Sequence, residues 1–194
     1  MLNLRGIVRG TLAGVALAGL ALAAQAFTIG DDGLHKQDWF YLSFKDVRED
    51  LESAADDGKR LVIIFEQRGC IYCAKMHEEV LSDPEISEYI QENFTVVQYN
   101  LFGDEEVYDL DGEVLTEKTA ARRWNVLYTP TILFLPEEAA DDATVASSVV
   151  SSMPGAFGKK TFLHMFQWVR EKGYDSEEHF QKYHARRLRE DEAS

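Results

Sequence analysis

Apolar residues recur along this chain with two different periods, and the changes of period mark its elements. Behind Ser43, the residues Phe44, Val47, Leu51 and Ala55 fall on one helical face, and Gly58 ends that helix. The run at 61–67 then opens with five consecutive apolar residues, Leu61, Val62, Ile63, Ile64 and Phe65, the pattern of a strand. From Cys73 onward Met76, Val80 and Leu81 form a second helical stripe, and Pro84 behind Asp83 bends the chain into a further helix over 85–93. Residues 94–99 are short and β-branched, a second strand. Thr116 stands where it can cap a helix reaching Trp124, and 126–135 is a strand interrupted near its start by Thr129-Pro130. Residues 144–150 supply the last predicted strand, and Gly155 and Gly158 flank the turn into a helix with Phe162, Phe166 and Val169 on one face. The predicted order is β, α, β, α, β, β, α behind a leading helix, without repeats.

Two segments stand apart from this alternation. Residues 101–115 crowd Asp104, Glu105, Glu106, Asp109, Asp111 and Glu113 around an Asp111-Gly112 turn, which reads as a surface insertion closing on a small hairpin. Residues 175–194 mix charges with Phe180, Tyr183 and Leu188, the pattern of an amphipathic or frayed helical tail. His179 and His184 in that tail lie five apart without convergent carboxylates, so no metal is expected there.

The first residues carry an export signature. Arg5 and Arg9 form a basic start, residues 11–24 are rich in Ala, Leu and Gly, and Ala24-Gln25-Ala26 has the small-x-small form of a cleavage site. Residues 1–26 therefore read as a signal peptide. The apolar stretch is short of the ~20 residues that span a bilayer, so an uncleaved membrane anchor is the less favoured alternative. Cleavage after Ala26 would leave 18 basic against 34 acidic residues, a net charge of −16. Nucleic acid and anionic membrane surfaces would be repelled by such a chain. The acidic pairs Asp31-Asp32 and Asp141-Asp142 lack the spacing of a calcium loop and read as a solvated face.

The chemistry is concentrated in Cys70 and Cys73, the only cysteines, spaced Cys-Ile-Tyr-Cys directly after the first strand. A strand that delivers the chain to a helix start leaves free amides whose partial positive charge favours a thiolate at the first cysteine. Three residues later the second sulfur is about one turn on, near enough to resolve a mixed disulfide. Structural zinc would need four ligands, and no second cysteine pair exists. Haem attachment needs His after the second cysteine, where Ala74 stands. A purely structural disulfide across so short a loop would contribute little.

The stretch Phe65-Glu66-Gln67-Arg68-Gly69-Cys70-Ile71-Tyr72-Cys73-Ala74-Lys75-Met76-His77, with Tyr128-Thr129-Pro130-Thr131 downstream, resembles the thioredoxin superfamily. Within it the likeness is to SoxW-like exported thioredoxins, which also carry a segment similar to Asp109-Leu110-Asp111-Gly112 and Leu115-Thr116-Glu117-Lys118 before the Thr-Pro strand. The resemblance covers residues 44–172, leaving 27–43 as an N-terminal extension and 173–194 as the C-terminal tail. It implies an α/β thioredoxin-like fold, a central mixed sheet flanked by helices with the short acidic insertion before a cis-proline strand. It also implies that Cys70 attacks, that Cys73 resolves, and that Pro130 is a cis-proline beside the disulfide, leaving Thr129 backbone groups free to pair with an extended substrate. Spacing alone favours an ordinary trans proline at a strand start.

The sequence departs from the family pattern in ways that bear on the site. The buried acid six residues before the first cysteine in many thioredoxins is here Ile64, while Glu66 lies two residues on and on the same strand face. Glu66 is either a proton acceptor for Cys73 or a solvated acid at the strand end. His77, four residues after Cys73, is either a charge that acidifies a thiol or a surface histidine, the commoner case. Tyr72 is expected to be exposed and to contact substrate, and Trp124 and Trp168 to lie in the core. Gly69 and Ile71-Tyr72 replace the usual Trp and Gly-Pro, so the redox potential does not carry over.

The sequence thus points to an exported, periplasmic thiol-disulfide oxidoreductase, mainly a protein-disulfide reductase, with no cofactor beyond its own Cys70–Cys73 disulfide. A disulfide-bearing client, which the SoxW likeness places in sulfur oxidation, and a membrane-linked thiol donor are the expected partners. The alternatives are an oxidase or isomerase of the same fold and a non-catalytic adaptor.

Overall fold

The computed structural model describes residues 27–193, and the signal peptide assigned to 1–26 lies outside them. A short hairpin, β1 (Thr28–Ile29) with β2 (His35–Lys36), precedes helix α1 (Val47–Asp56) and strand β3 (Arg60–Glu66). Helix α2 (Ile71–Lys75) continues into a π-helical turn, Met76–Leu81, followed by α3 (Pro84–Asn93) and β4 (Phe94–Asn100). A second hairpin of β5 (Glu106–Tyr108) and β6 (Val114–Thr116) leads into α4 (Glu117–Arg123) and β7 (Thr131–Phe134). Then come α5 (Val145–Ser148), β8 (Ser151–Pro154), α6 (Lys159–Arg170) and α7 (Phe180–Ala193).

The central sheet has the order β4-β3-β7-β8, with β3 parallel to β4 and antiparallel to β7. It is a thioredoxin-like α/β arrangement, a mixed sheet with helices on both faces. All seven residues of β3 are buried, as a strand covered on both faces requires. Alternation sends Leu61, Ile63 and Phe65 into one core with α1 and α4, and Val62 and Ile64 into the other with the π-helical turn, α3 and α6. Glu66 follows Val62 and Ile64 on that second face.

Each helix start has a local cause. Asp46 caps α1 by accepting from the amides of Arg48 and Glu49 at 3.0 and 3.1 Å. Ser43, which precedes the helix, donates to Asp50 Oδ2 at 2.5 Å. The left-handed Lys45 (φ 64°) turns the chain just before the helix, so Phe44 is exposed rather than part of the buried stripe. Residues 144–150, predicted as a strand, form α5 because Thr144 and Ser147 cap each other reciprocally. The carboxylate of Asp109 also accepts from the Val145 amide at 2.8 Å, and β8 begins only at Ser151.

The acidic stretch is more than a surface decoration. Its Asp111-Gly112 turn does close a hairpin, but Val107, Asp109 and Leu110 are buried. Asp109 also accepts from Leu110 N, Trp124 Nε1 and Arg123 Nη1 at 2.7, 2.8 and 2.6 Å, tying the hairpin to α4 and α5. The tail forms α7, which buries Tyr183 and sets His184 Nδ1 2.7 Å from His164 Nδ1 on α6. Trp124 and Trp168 are both in the core, as expected.

The N-terminal segment covers an exposed edge. The Tyr41 amide donates to Val96 O at 2.8 Å and Gln98 Nε2 donates to His35 O at 2.6 Å, so residues 35–41 run along the open side of β4.

Burial in the α1 interface raises the Asp50 carboxyl from 3.8 to about 6, against the opposing hydrogen bond from Ser43. Because the folded value is the higher one, the stability this group contributes is complete below pH 3.8 and is lost as pH rises through about 6. Asp50→Asn is therefore expected to raise the unfolding free energy by about 2 kcal/mol near pH 7.5. That advantage should vanish near pH 4, as urea melts at the two pH values would read.

Candidate active site

Strand β3 ends at Glu66 and the chain turns through Gly69, whose φ of 70° suits glycine, onto Cys70. Cys70 is the N-cap of α2: its φ and ψ are extended, and its sulfur accepts from the Cys73 amide at 3.0 Å. The two cysteines form a disulfide with Cα atoms 5.2 Å apart. Their exposures differ in the sense that a directional exchange needs. Cys70 retains 7% of its surface and Cys73 none.

Thr129-Pro130 is a cis peptide, so the trans proline favoured by spacing alone is not what forms. Residues 126–130 are consequently not strand, and β7 begins at Thr131. The loop is held by the Thr131 hydroxyl donating to Tyr128 O at 2.7 Å and by the Gly155 amide donating to Pro130 O at 2.7 Å. This brings the Thr129 hydroxyl to 3.3 Å from Cys70 Sγ, where it donates to the sulfur. Tyr72, 58% exposed, stands with Ile71, Leu127 and Tyr128 among the exposed apolar side chains of these two loops.

Glu66 and His77 are where the structure departs most from the residue-by-residue reading. Neither is solvated: both side chains have no accessible surface, and they meet at 2.7 Å between Glu66 Oε1 and His77 Nε2. A solvated acid at a strand end and a surface histidine are both overturned by packing, because the π-helical turn lies on the Val62–Ile64 face and carries His77 inward. The other imidazole nitrogen, Nδ1, is 3.2 Å from Gln37 Nε2. His35 Nδ1 lies 3.8 Å from Glu66 Oε2. Phe27, His35 and Phe40 place their ring centroids 5.8, 5.5 and 5.7 Å from that of His77. Sequence reasoning missed His35 and Gln37 entirely. The one available signal was polar side chains set within the apolar neighbourhood of Leu34, Trp39 and Phe40.

A buried carboxylate with a histidine on one oxygen can receive a proton on the other. Cys73 is fully buried and lies four residues before His77 on the same helical run. Cys70, capping a helix and bonded by a hydroxyl, is the sulfur placed to hold negative charge.

Sheet order, cis-proline loop and cysteine pair together define the thioredoxin-like class. The thioredoxin-like domain family matches residues 47–170, and the chain belongs to that family. No curated protein matches. Among solved structures the chain is similar to a thioredoxin from Thermus thermophilus, with 26% identity, a TM-score of 0.51, and coverage of 69% of this chain and 95% of that one. It is also similar to a thioredoxin-fold protein from Helicobacter pylori, at 18% identity and TM-score 0.49 over 70% of this chain and 91% of that one. The oxidised C-terminal domain of DsbD from Neisseria meningitidis follows at 13% identity and TM-score 0.44, over 66% and 97%.

Removing the Thr129 hydroxyl should weaken the charged form of Cys70. Thr129→Val is expected to slow alkylation of the reduced protein at neutral pH by about fivefold, the rate equivalent of about 1 kcal/mol for one hydrogen bond. Mass spectrometry of iodoacetamide-labelled Cys70 against time measures it.

Proposed function

We propose that the protein is an exported thiol-disulfide oxidoreductase acting mainly as a reductase of disulfides in partner proteins. The observation that carries this reading is the asymmetry of the pair: Cys70 keeps 7% of its surface, caps a helix and is bonded by Thr129, while Cys73 is sealed, four residues before the histidine that bonds a buried acid. In the reduced protein the Cys70 thiolate attacks a client disulfide, forming one sulfur–sulfur bond and expelling a client thiolate that takes up a proton. Cys73 then loses its proton to the Glu66–His77 pair and attacks Cys70 Sγ. The second client thiol leaves, and the two electrons lost by Cys70 and Cys73 now reside in the client dithiol. A membrane-linked thiol donor would restore the cysteines.

Support for the periplasmic setting comes from the signal-like residues 1–26, and the SoxW likeness suggests a client in sulfur oxidation. The exposed Tyr72 and the free backbone of Thr129 supply a surface against which an extended client segment can lie.

Cys73→Ala is expected to accumulate a covalent client adduct on Cys70 that Cys70→Ala cannot form, read on non-reducing gels after expression in the native host. A biological role that survives Cys70→Ala would favour the adaptor reading instead. Direction is tested by the reduction potential against glutathione. A value near thioredoxin's, about −270 mV, supports the reductase, and one near about −120 mV assigns the protein to thiol oxidation.

A further inference from the structure

The Glu66–His77 pair is completed by residues outside the matched domain. That domain begins at residue 47, whereas Phe27, His35, Gln37 and Phe40, which enclose the imidazole, all precede it. The segment carrying them is anchored on β4 by the Tyr41 amide on Val96 O and the Gln98 side chain on His35 O, which hold it against the site.

Hydrogen-bond chemistry links the state of the pair to Gln37. With Gln37 Nε2 facing it at 3.2 Å, His77 Nδ1 accepts in the tautomer whose ring hydrogen sits on Nε2, pointing at Glu66 Oε1. Were the hydrogen on Nδ1, the Nε2 lone pair would face the carboxylate, and Glu66 would have to hold a proton to bond it. The second oxygen, Oε2, is buried without a hydrogen-bond partner among the described residues, and so is His35 Nδ1, 3.8 Å away. His35 is the most exposed of the three titratable groups, at 8% against none for Glu66 and His77. Nearby charged side chains turn elsewhere: Lys36 on the hairpin pairs with Asp32 at 2.6 Å, and Arg68, just past β3, donates to Asp32 O.

We propose that Gln37 and His35 are positioning residues of the redox centre, Gln37 fixing the His77 tautomer that leaves Glu66 Oε2 free to receive the Cys73 proton, and His35 carrying that proton outward. This rests on the thiol-disulfide reading above. The proton leaves Cys73 Sγ, is held on Glu66 Oε2, and passes to His35 Nδ1; no electrons move in these transfers.

The test uses the full chain, reduced, mixed with the aromatic disulfide dithionitrobenzoate in a stopped-flow instrument. Attack by Cys70 releases one thionitrobenzoate and resolution by Cys73 releases the second, so the two steps are read separately. Gln37→Met keeps the side-chain volume without the donor, and His35→Phe keeps a ring against Phe27. In each, the first release should stay within about twofold of wild type near pH 7, while the second slows by about tenfold, as when an outer partner of a functional group is lost. The deficit should shrink to under about threefold near pH 9.5, above the ordinary thiol value of about 8.5, where solvent base can take the proton. A purely structural role predicts a deficit that is equal in both steps and independent of pH. That outcome, or a second release unchanged in whichever variants fold, overturns the proposal. If wild type itself gives no first or second release, the thiol-disulfide reading falls, and the proposal with it.

Discussion

The central strand is buried from end to end, yet it begins with Arg60 and finishes with Glu66. An unpaired charge in such a position costs several kcal/mol, so each end of β3 must recruit partners from elsewhere in the chain. The Nη atoms of Arg60 donate to Val169 O, to Tyr174 Oη at 3.1 Å and to Glu137 Oε1 at 3.0 Å, while its guanidinium lies 5.7 Å from the Tyr174 ring. Glu66 Oε1 is bonded by His77, and Oε2 is faced by His35 Nδ1 at 3.8 Å. The interior residues of the strand could be exchanged for other apolar side chains of similar volume with modest effect. Its two ends could not.

These two ends explain why the additions at either terminus are integral to the fold. Tyr174, just past the matched domain, closes the Arg60 end, and α7 then packs back onto α6 through Tyr183 and His184. At the other end, residues 27–41 cover the edge of β4 and bring Gln37 and His35 to the acid. A segment that only protected an exposed sheet edge would need backbone hydrogen bonds and little else. This one also places polar side chains in an apolar setting, where they are tolerated only if their partners are in place.

What the sequence discloses is what local physics controls. The β-branched runs of β3 and β4, the proline at the start of α3, the Thr116 cap and the cysteine spacing each act within a few residues, and each is found where expected. The failures are of two kinds. In residues 144–150 a pair of hydroxyl caps and an amide captured by Asp109 outweigh β-branched composition, and that acid lies 36 residues away in sequence. For Glu66 and His77, the deciding partner is Gln37, 40 residues before His77 in a segment with no periodicity. Acidic composition likewise hid Val107 and Leu110, because a few buried apolar residues in a charged stretch do not produce a pattern.

The division of labour between the two sulfurs follows from helix geometry more than from any difference in their chemistry. Cys70 lies at the cap, where the chain is still extended, so its sulfur faces the cis-proline loop and solvent. Cys73 lies three residues on and turns toward the sheet, on the side that His77 continues, while Ile71 and Tyr72 turn outward. One sulfur therefore keeps some accessible surface, and the other has none. Exchanging their exposures would require the helix to shift against the sheet, which the packing of Met76 and Val80 in the core forbids. The unequal exposure of the two sulfurs is thus set by the same contacts that fold the chain.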